Sequence, residues 1–226
     1  MHLLFVAATH NEINILEKKI PLIQKRDSYF SEHVYGAKYI DFLVTGIGIA
    51  STTYQMSKIL HKKKYDLIIN LGIAGAFHKK LKIGQIVNVT SDIIAELGAE
   101  NDTDFITLDR LPIDEQTRIR TAYRIENTNP INSSVINELQ QVKGITVNTI
   151  HGNEKNIADV ISLFSPDAES MEGSAFLYVC KEEKIKCAQI RAISNYVEKR
   201  NRNNWDVELA IKNLNDFAFN LLNSIH

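Results

Sequence analysis

The chain is poor in cysteine. Its two, Cys180 and Cys187, make no C-x-x-C pair and have no metal-ligand residues near them in sequence, so a reduced, cytoplasmic setting is the default expectation. His10, His78 and His151 are scattered, no pair has metal-ligand spacing, and no zinc site is expected. An excess of charge of one sign is also missing. Lys and Arg total 26 against 27 Asp and Glu, a formal net charge of −1. That balance leaves no field for wrapping nucleic acid. The short runs Lys62-Lys63-Lys64 and Lys79-Lys80 read as solvated helix ends or turns. No apolar run approaches the ~18 residues of a membrane span. The stretch Met1–Ala8 lacks the cationic start of a signal peptide and ends within a strand length, so it reads as a buried first strand. Repeats, low-complexity tracts and linkers are absent. With 226 residues, 44% hydrophobic and 23% charged, residues 1–226 are expected to form one soluble globular domain.

What the chain does have is an alternation of apolar, β-branched runs with longer stretches of helical period. Leu3–Ala8 reads as a strand, followed by a helix from about Asn11 that closes near Pro21. Tyr29–Val34 and Lys38–Val44 form a hairpin around Gly36, and Ile49–Lys62 is helical. Leu67–Leu71 reads as a short strand ended by Gly72-Ile73-Ala74-Gly75, and Ile86–Ile94 as another. Residues 96–129 are polar and aperiodic, an excursion on the active-site side or a surface loop region. Helices over Asn132–Gln141, Lys155–Leu163, Gly173–Glu182 and Asp206–Ile225 then alternate with strands at Thr146–Ile150 and Cys187–Ile193. This order predicts an α/β fold, a three-layer sandwich whose central mixed, mostly parallel sheet is flanked by helices. Ligands of such sheets sit outside the carboxyl ends of the strands. Thr9–Glu12, Gly46–Gly48, Gly72–Gly75 and Ser194-Asn195 are therefore expected at one rim, with Met171-Glu172 at the same level.

Each of these segments supports two readings. Thr9-His10-Asn11-Glu12 fits the S/T-x-x-E capping box, and local sequence alone favours Glu12 as a helix cap over Glu12 as a catalytic base. Gly46-Ile47-Gly48 resembles half of a phosphate-binding turn, but Val44, Thr45, Ile49 and Ala50 around it supply no cation. Ala74 and Gly75 are either part of a tight turn or a floor on which a flat ligand approaches the backbone. Glu172 precedes a helix and suits its dipole; it is equally a bidentate acceptor for two vicinal hydroxyls, with Met171 as a soft apolar surface for a sugar face. Asn195, after Ser194, either caps a strand end or offers a donor and an acceptor to a purine edge. Together, a carboxylate for a diol, an amide for a leaving base and a second carboxylate for water would suffice to cleave a nucleoside.

In this order the segments Ala8–Glu12, Gly46–Ala50, Ile68–Gly75, Leu81–Val89, Ser170–Gly173 and Arg191–Asn195 resemble the nucleoside phosphorylase and nucleosidase superfamily, over nearly the whole chain. They look closest to its methylthioadenosine/adenosylhomocysteine nucleosidase branch. The adenine-specific members carry an aspartate where this chain has Asn195. That departure, with Tyr196-Val197-Glu198, Arg200-Asn201-Arg202 and Trp205, resembles the futalosine hydrolases, which remove hypoxanthine from futalosine in menaquinone biosynthesis. A second departure is Ile73, where the nucleosidases often have serine. The resemblance implies Glu12 as the base that activates water, Glu172 as the holder of the ribose hydroxyls and Asn195 as the support for charge on the leaving base. It places Ala74, Gly75, Met171 and Ser194 against the substrate; by charge and position, Arg200 or Arg202 could meet the benzoate of futalosine. It implies a nucleoside as partner, no cofactor or metal, and a homodimer or larger assembly. A 6-oxopurine phosphorylase, a methylthioadenosine-type nucleosidase and a non-catalytic nucleoside-binding protein are the competing readings.

Overall fold

The computed structural model describes residues 1–225, with 118–120 described by their backbone. In chain order the elements are β1 (His2–Ala7), α1 (His10–Lys18), β2 (Leu22–Lys25), β3 (Phe30–Tyr35), β4 (Lys38–Val44), α2 (Ile49–Leu60), β5 (Leu67–Ala76), β6 (Ile86–Ile94), β7 (Gly98–Asn101) and β8 (Asp104–Thr107). They continue with α3 (Glu115–Arg120), β9 (Arg124–Glu126), α4 (Ser134–Asn137), β10 (Gln140–Thr146), α5 (Glu154–Phe164), β11 (Ala168–Ser170), α6 (Gly173–Glu182), β12 (Lys186–Tyr196) and α7 (Val207–Ser224).

The main sheet runs β11-β10-β6-β12-β5-β1-β4-β3-β2, with β9 on β6. Strands β4, β1, β5 and β12 are mutually parallel, as are β6, β10 and β11; β12–β6, β11–β5 and the β2–β3–β4 meander are antiparallel. One half is layered as the sequence predicts. Leu3, Phe5 and Ala7 of β1 face a core shared with α1 and α7, while Leu4 and Val6 face one shared with α2 and α6. A strand covered on both faces needs apolar residues at every position, which explains the unbroken run Leu3–Ala8.

The other half departs from an open sandwich. Strand β11 pairs with β10 on one side and β5 on the other, so β5, β12, β6, β10 and β11 close into a ring. Its interior holds Ala74, Ala76, Val87, Val89, Val142, Ala168 and Ile193. Of the two readings of Gly72–Gly75, the tight turn gives way to extended strand, since β5 runs on to Ala76 to reach β11. Likewise β12 does not end at Ile193 but continues to Tyr196. The helix expected over Asn132–Gln141 shrinks to the four residues of α4, because Gln140–Thr146 is taken up by pairing with β6; the strand expected at Thr146–Ile150 is this β10, ending where that one was to begin. Residues 96–129 hold the separate β7–β8 hairpin, α3 and β9. No helix among the described residues is long and apolar enough to cross a membrane.

A buried polar knot secures α6. Asp92 on β6 accepts from Thr146 Oγ1 (2.8 Å), Ser174 Oγ (2.8 Å) and Gln189 Nε2 (3.0 Å), and Thr146 Oγ1 accepts the Ser174 N–H at 2.7 Å. Burial pushes the Asp92 carboxyl up, while these three donors pull it down. Gly173 lies against the knot, where a Cβ would run into Asp92 Oδ2 and Gln189 Nε2. Gly173→Ala is therefore expected to lose about 1–3 kcal/mol in urea unfolding. Gly152→Ala, whose Cβ would sit 3.4 Å from Arg200 Cβ, is expected to stay within about 0.5 kcal/mol of the parent.

Candidate active site

A cavity of about 300 Å³ lies between the ends of β5 and β12 and the first turns of α1 and of α6. All seven residues singled out from sequence line it: Glu12, Ala74, Gly75, Met171, Glu172, Ser194 and Asn195.

Glu12 is in the first turn of α1 and closes a capping box with Thr9, so the local reading and the site reading coincide. Its Oε2 accepts from Thr9 N–H and Thr9 Oγ1, both at 2.9 Å. Its Oε1 accepts the Ile73 N–H at 3.1 Å, so Ile73 contributes backbone to the site in spite of its apolar side chain. The carboxylate is 6% exposed. Burial raises its pKa above the ordinary carboxylate value of 4.5; Arg191 pulls it back and Glu172 pushes it up. The helix below is held in turn by Asn215 of α7, fully buried, whose Nδ2 donates to Glu12 O (2.9 Å) while its Oδ1 accepts Leu16 N–H (2.8 Å).

Glu172 is the N-cap of α6, and its Oε1 accepts the Gly48 N–H at 3.0 Å. The glycine-rich turn thus spends its amide on a carboxylate of the protein itself. Gly48 has φ 95° and ψ 167°, a region open essentially to glycine alone.

Asn195 reaches the cavity through an irregularity in β12. Ile193 pairs with Ala74 and Asn195 with Gly75, so Ser194 is an extra residue in the ladder, and the bulge re-aims the side chain that follows it. Asn195 Oδ1 accepts from Ser194 Oγ (2.8 Å) and Nδ2 donates to Tyr196 O (2.9 Å). One Nδ2–H is left, so the amide meets the cavity as a donor.

Three groups were not visible as site residues in the sequence. Arg191 on β12 is buried behind the carboxylates, with Nε and Nη2 unpartnered among the described residues. Burial lowers its pKa, and Glu172, Glu12 and Asp92 raise it. Its room comes from Gly72, where a Cβ would lie 2.5 Å from Nη1 and 3.2 Å from Glu12 Oε1. The other two are His151 and Glu169, whose short ion pair lines the cavity. They are 18 positions apart in the chain; pairing of β10 with β11 brings them together and pairing of β11 with β5 sets them at the site. Among the described residues no three His, Cys, Asp or Glu side chains gather as metal ligands.

Gly48→Ala is expected to cost about 1–3 kcal/mol in thermal or urea unfolding through backbone strain, and to loosen Glu172. Ile47→Ala beside it, at a 58% exposed position, is expected to change stability by under about 0.5 kcal/mol. Equal losses in the two variants would show that the Gly48 backbone carries no special constraint.

This geometry has relatives. A futalosine hydrolase from Acidothermus cellulolyticus is 30% identical over 177 residues, 77% of this chain and 71% of that protein. A 5′-methylthioadenosine/S-adenosylhomocysteine nucleosidase from Bacillus velezensis is 26% identical over the full length of both chains. Among solved structures, a Helicobacter pylori nucleosidase variant with 5′-methylthioadenosine in its active site superposes with a TM-score of 0.82 at 17% identity, covering 99% of each chain. The sequence pattern of the Phosphorylase superfamily matches residues 3–225, and the chain belongs to that superfamily.

Proposed function

We propose that this chain is a purine N-ribosidase of the futalosine hydrolase kind, releasing hypoxanthine from futalosine, leaving dehypoxanthine futalosine, and so serving menaquinone biosynthesis. It is an enzyme, a hydrolase acting on N-glycosyl bonds, consistent with the names of its relatives. The observation that carries the reading is the convergence of Glu12, Glu172 and Asn195 on one cavity whose described lining contains neither Lys nor Arg.

The reaction is dissociative. Glu12, ionised, takes a proton from the attacking water, and the Ile73 N–H keeps its Oε1 oriented. Glu172, fixed by Gly48 N–H, accepts from the 2′- and 3′-hydroxyls and offsets positive charge on the ribosyl ring. Asn195 supports the negative charge that builds on the base. Acid–base groups of this kind contribute ~10²–10⁴-fold, and an oriented donor ~10²–10³-fold. Ala74, Gly75 and Met171 supply the surfaces on which base and sugar lie.

Water is favoured over phosphate because Gly48 N–H already serves Glu172, and a second anion there would meet a carboxylate instead of a cation. A 6-oxopurine is favoured because one Nδ2–H of Asn195 is not used within the protein and can donate to an acceptor edge. Arg200, its guanidinium 5.3 Å over the Trp205 ring at the cavity edge, suits the benzoate end of futalosine. A homodimer or larger assembly fits the exposed Ile47 and Ile150 at the rim. The second reading, an adenine-releasing methylthioadenosine nucleosidase, draws on the full-length match to that group.

Base release from futalosine, aminofutalosine, methylthioadenosine and inosine, each with and without phosphate, tests the assignment. Phosphate-independent hypoxanthine release from futalosine is expected; phosphate-dependent cleavage of inosine would overturn it. Glu12→Gln and Glu172→Gln should each lower kcat by at least ~100-fold in a folded protein.

The pH profile is a separate test. Glu12 acts ionised and its pKa is raised, so kcat/KM should fall on acidification at a pH above 4.5. Arg191 holds that pKa down, so Arg191→Met should move the acid limb to still higher pH. An acid limb that stays in place in Arg191→Met would remove Glu12 as its source.

A further inference from the structure

The base end of the cavity carries an ion pair that the cleavage just described does not use. Glu169 on β11 has a side chain only 4% exposed, and it grips His151 twice, through the backbone N–H at 3.0 Å and through ring Nδ1. The loop that carries His151 is pinned at several further points. Glu96 accepts from Asn148 N–H, Asn148 Nδ2 and Thr149 N–H, Val147 N–H donates to Ser170 O, and Asn153 caps α5. The imidazole is therefore held in place with Nδ1 spent. Nε2 is its one remaining polar atom and has no partner among the described residues. Burying a carboxylate and a cation beside a cavity is costly, and such a clamp is the way to preorganise one donor.

We infer that His151 is a second base-reading residue, whose Nε2–H donates to the exocyclic oxygen at C6 of the bound purine from the side of Gly75 opposite Asn195. This rests on the nucleosidase reading of the cavity. Gly75 is the common partner of both walls: it pairs with Asn195 on β12 and with Glu169 on β11. A base lying over Gly75 is flanked by the Asn195 amide on one side and by the Glu169–His151 pair on the other.

The donor character follows from the ring's surroundings. Nδ1 faces the Glu169 carboxylate, and in the doubly protonated ring that this carboxylate favours the second proton is on Nε2. The hydrogen bond to Glu169 raises the His151 pKa against partial burial, with Glu169 and Glu96 adding their charge. Glu12 and Glu172 are the other carboxylates that line the cavity. The neighbouring cation is Arg200, outside the lining, whose Cβ lies near Gly152 and whose guanidinium sits over Trp205. As the C1′–N9 bond breaks, its electron pair goes to the base and spreads to the C6 oxygen, so the bond from His151 strengthens in the transition state. A 6-aminopurine sets N–H against N–H at this point, and such a mismatch is what discriminates strongly between analogues.

The test compares 6-oxo and 6-amino substrates in His151→Phe, which keeps a ring, and in Glu169→Gln. In His151→Phe, kcat/KM for inosine or futalosine should fall about 10–100-fold, the value of a hydrogen bond to a charged group, while release from the 6-amino counterparts changes less than about threefold. In Glu169→Gln the ratio of the two should survive at about pH 5.5 and collapse by about pH 8, because the imidazole loses the carboxylate that keeps it protonated. The ratio cancels any shared loss from Glu12, and Glu169→Gln carries the test if His151→Phe is not recovered folded. Equal losses for both bases, or an unchanged ratio, would overturn the inference. Calorimetry with free hypoxanthine and free adenine separates the two levels. If the parent protein cleaves no nucleoside, the nucleosidase reading fails, while a hypoxanthine-over-adenine preference that vanishes in His151→Phe still supports His151. An unchanged preference overturns it.

Discussion

One buried guanidinium governs the site. Arg191 is 1% exposed and lies behind Glu12 and Glu172, with Asp92 also within its field. None of the three carboxylates makes a direct ion pair with it at 4 Å or less, so its effect is that of a charge placed centrally under a cluster. Three acids ionised together in a region of low polarisability would repel one another strongly, and protonation would relieve that repulsion. Arg191 lowers the charge of the group without occupying the cavity, which leaves Glu12 and Glu172 free to face a ligand. The residue opposite, Gly72, is there for volume: it is part of an extended strand, and any side chain would strike Arg191 Nη1 and Glu12 Oε1.

The closed half of the sheet does for the base end what Arg191 does for the carboxylates. Strand β11 is only three residues long, yet it sets Glu169 beside Gly75 and so carries the His151 loop to the cavity. The bulge at Ser194 does the same from β12 for Asn195. Both walls of the base end thus depend on register with β5, and β5 must be ten residues long to serve them.

Much of this was legible in the chain, for physical reasons that differ by residue. The run Leu3–Ala8 reads as a strand because both of its faces are buried. Glu12 and Glu172 stand out because they belong to helix starts, where the signal is local: a capping box in one case, an N-cap in the other. Of the two readings open at Gly72–Gly75, the turn does not hold, because glycine here serves volume and not backbone turning: Gly72 makes room for Arg191 and Gly75 for Asn195 and Val197. Strand β11 was missed because three residues cannot display a period, and with it went ring closure and the Glu169–His151 pair. The expected helix over Asn132–Gln141 runs two residues into β10, and the expected strand starts at its last residue, because only pairing with β6 and β11 makes Gln140–Thr146 a strand.

The two ends of the cavity differ in charge, two carboxylates at one and an amide with a His151–Glu169 pair at the other, and the proposed reaction uses that difference. Glu12 and Glu172 make the sugar end anionic. At the base end Asn195 keeps one N–H that the protein does not use, and the lining there includes the paired His151 and Glu169. In a dissociative cleavage positive charge grows on the ribosyl ring while negative charge grows on the purine. A fixed anionic end and a fixed donor end favour that separation over the neutral ground state, so the stabilisation is largest where the barrier is. The same polarity disfavours phosphate as nucleophile, since a phosphate approaching the ribosyl carbon would have to enter the end already held by two carboxylates. In the proposed reaction water, carrying no charge, would enter that end and give its proton to Glu12, the carboxylate whose burial raises its pKa.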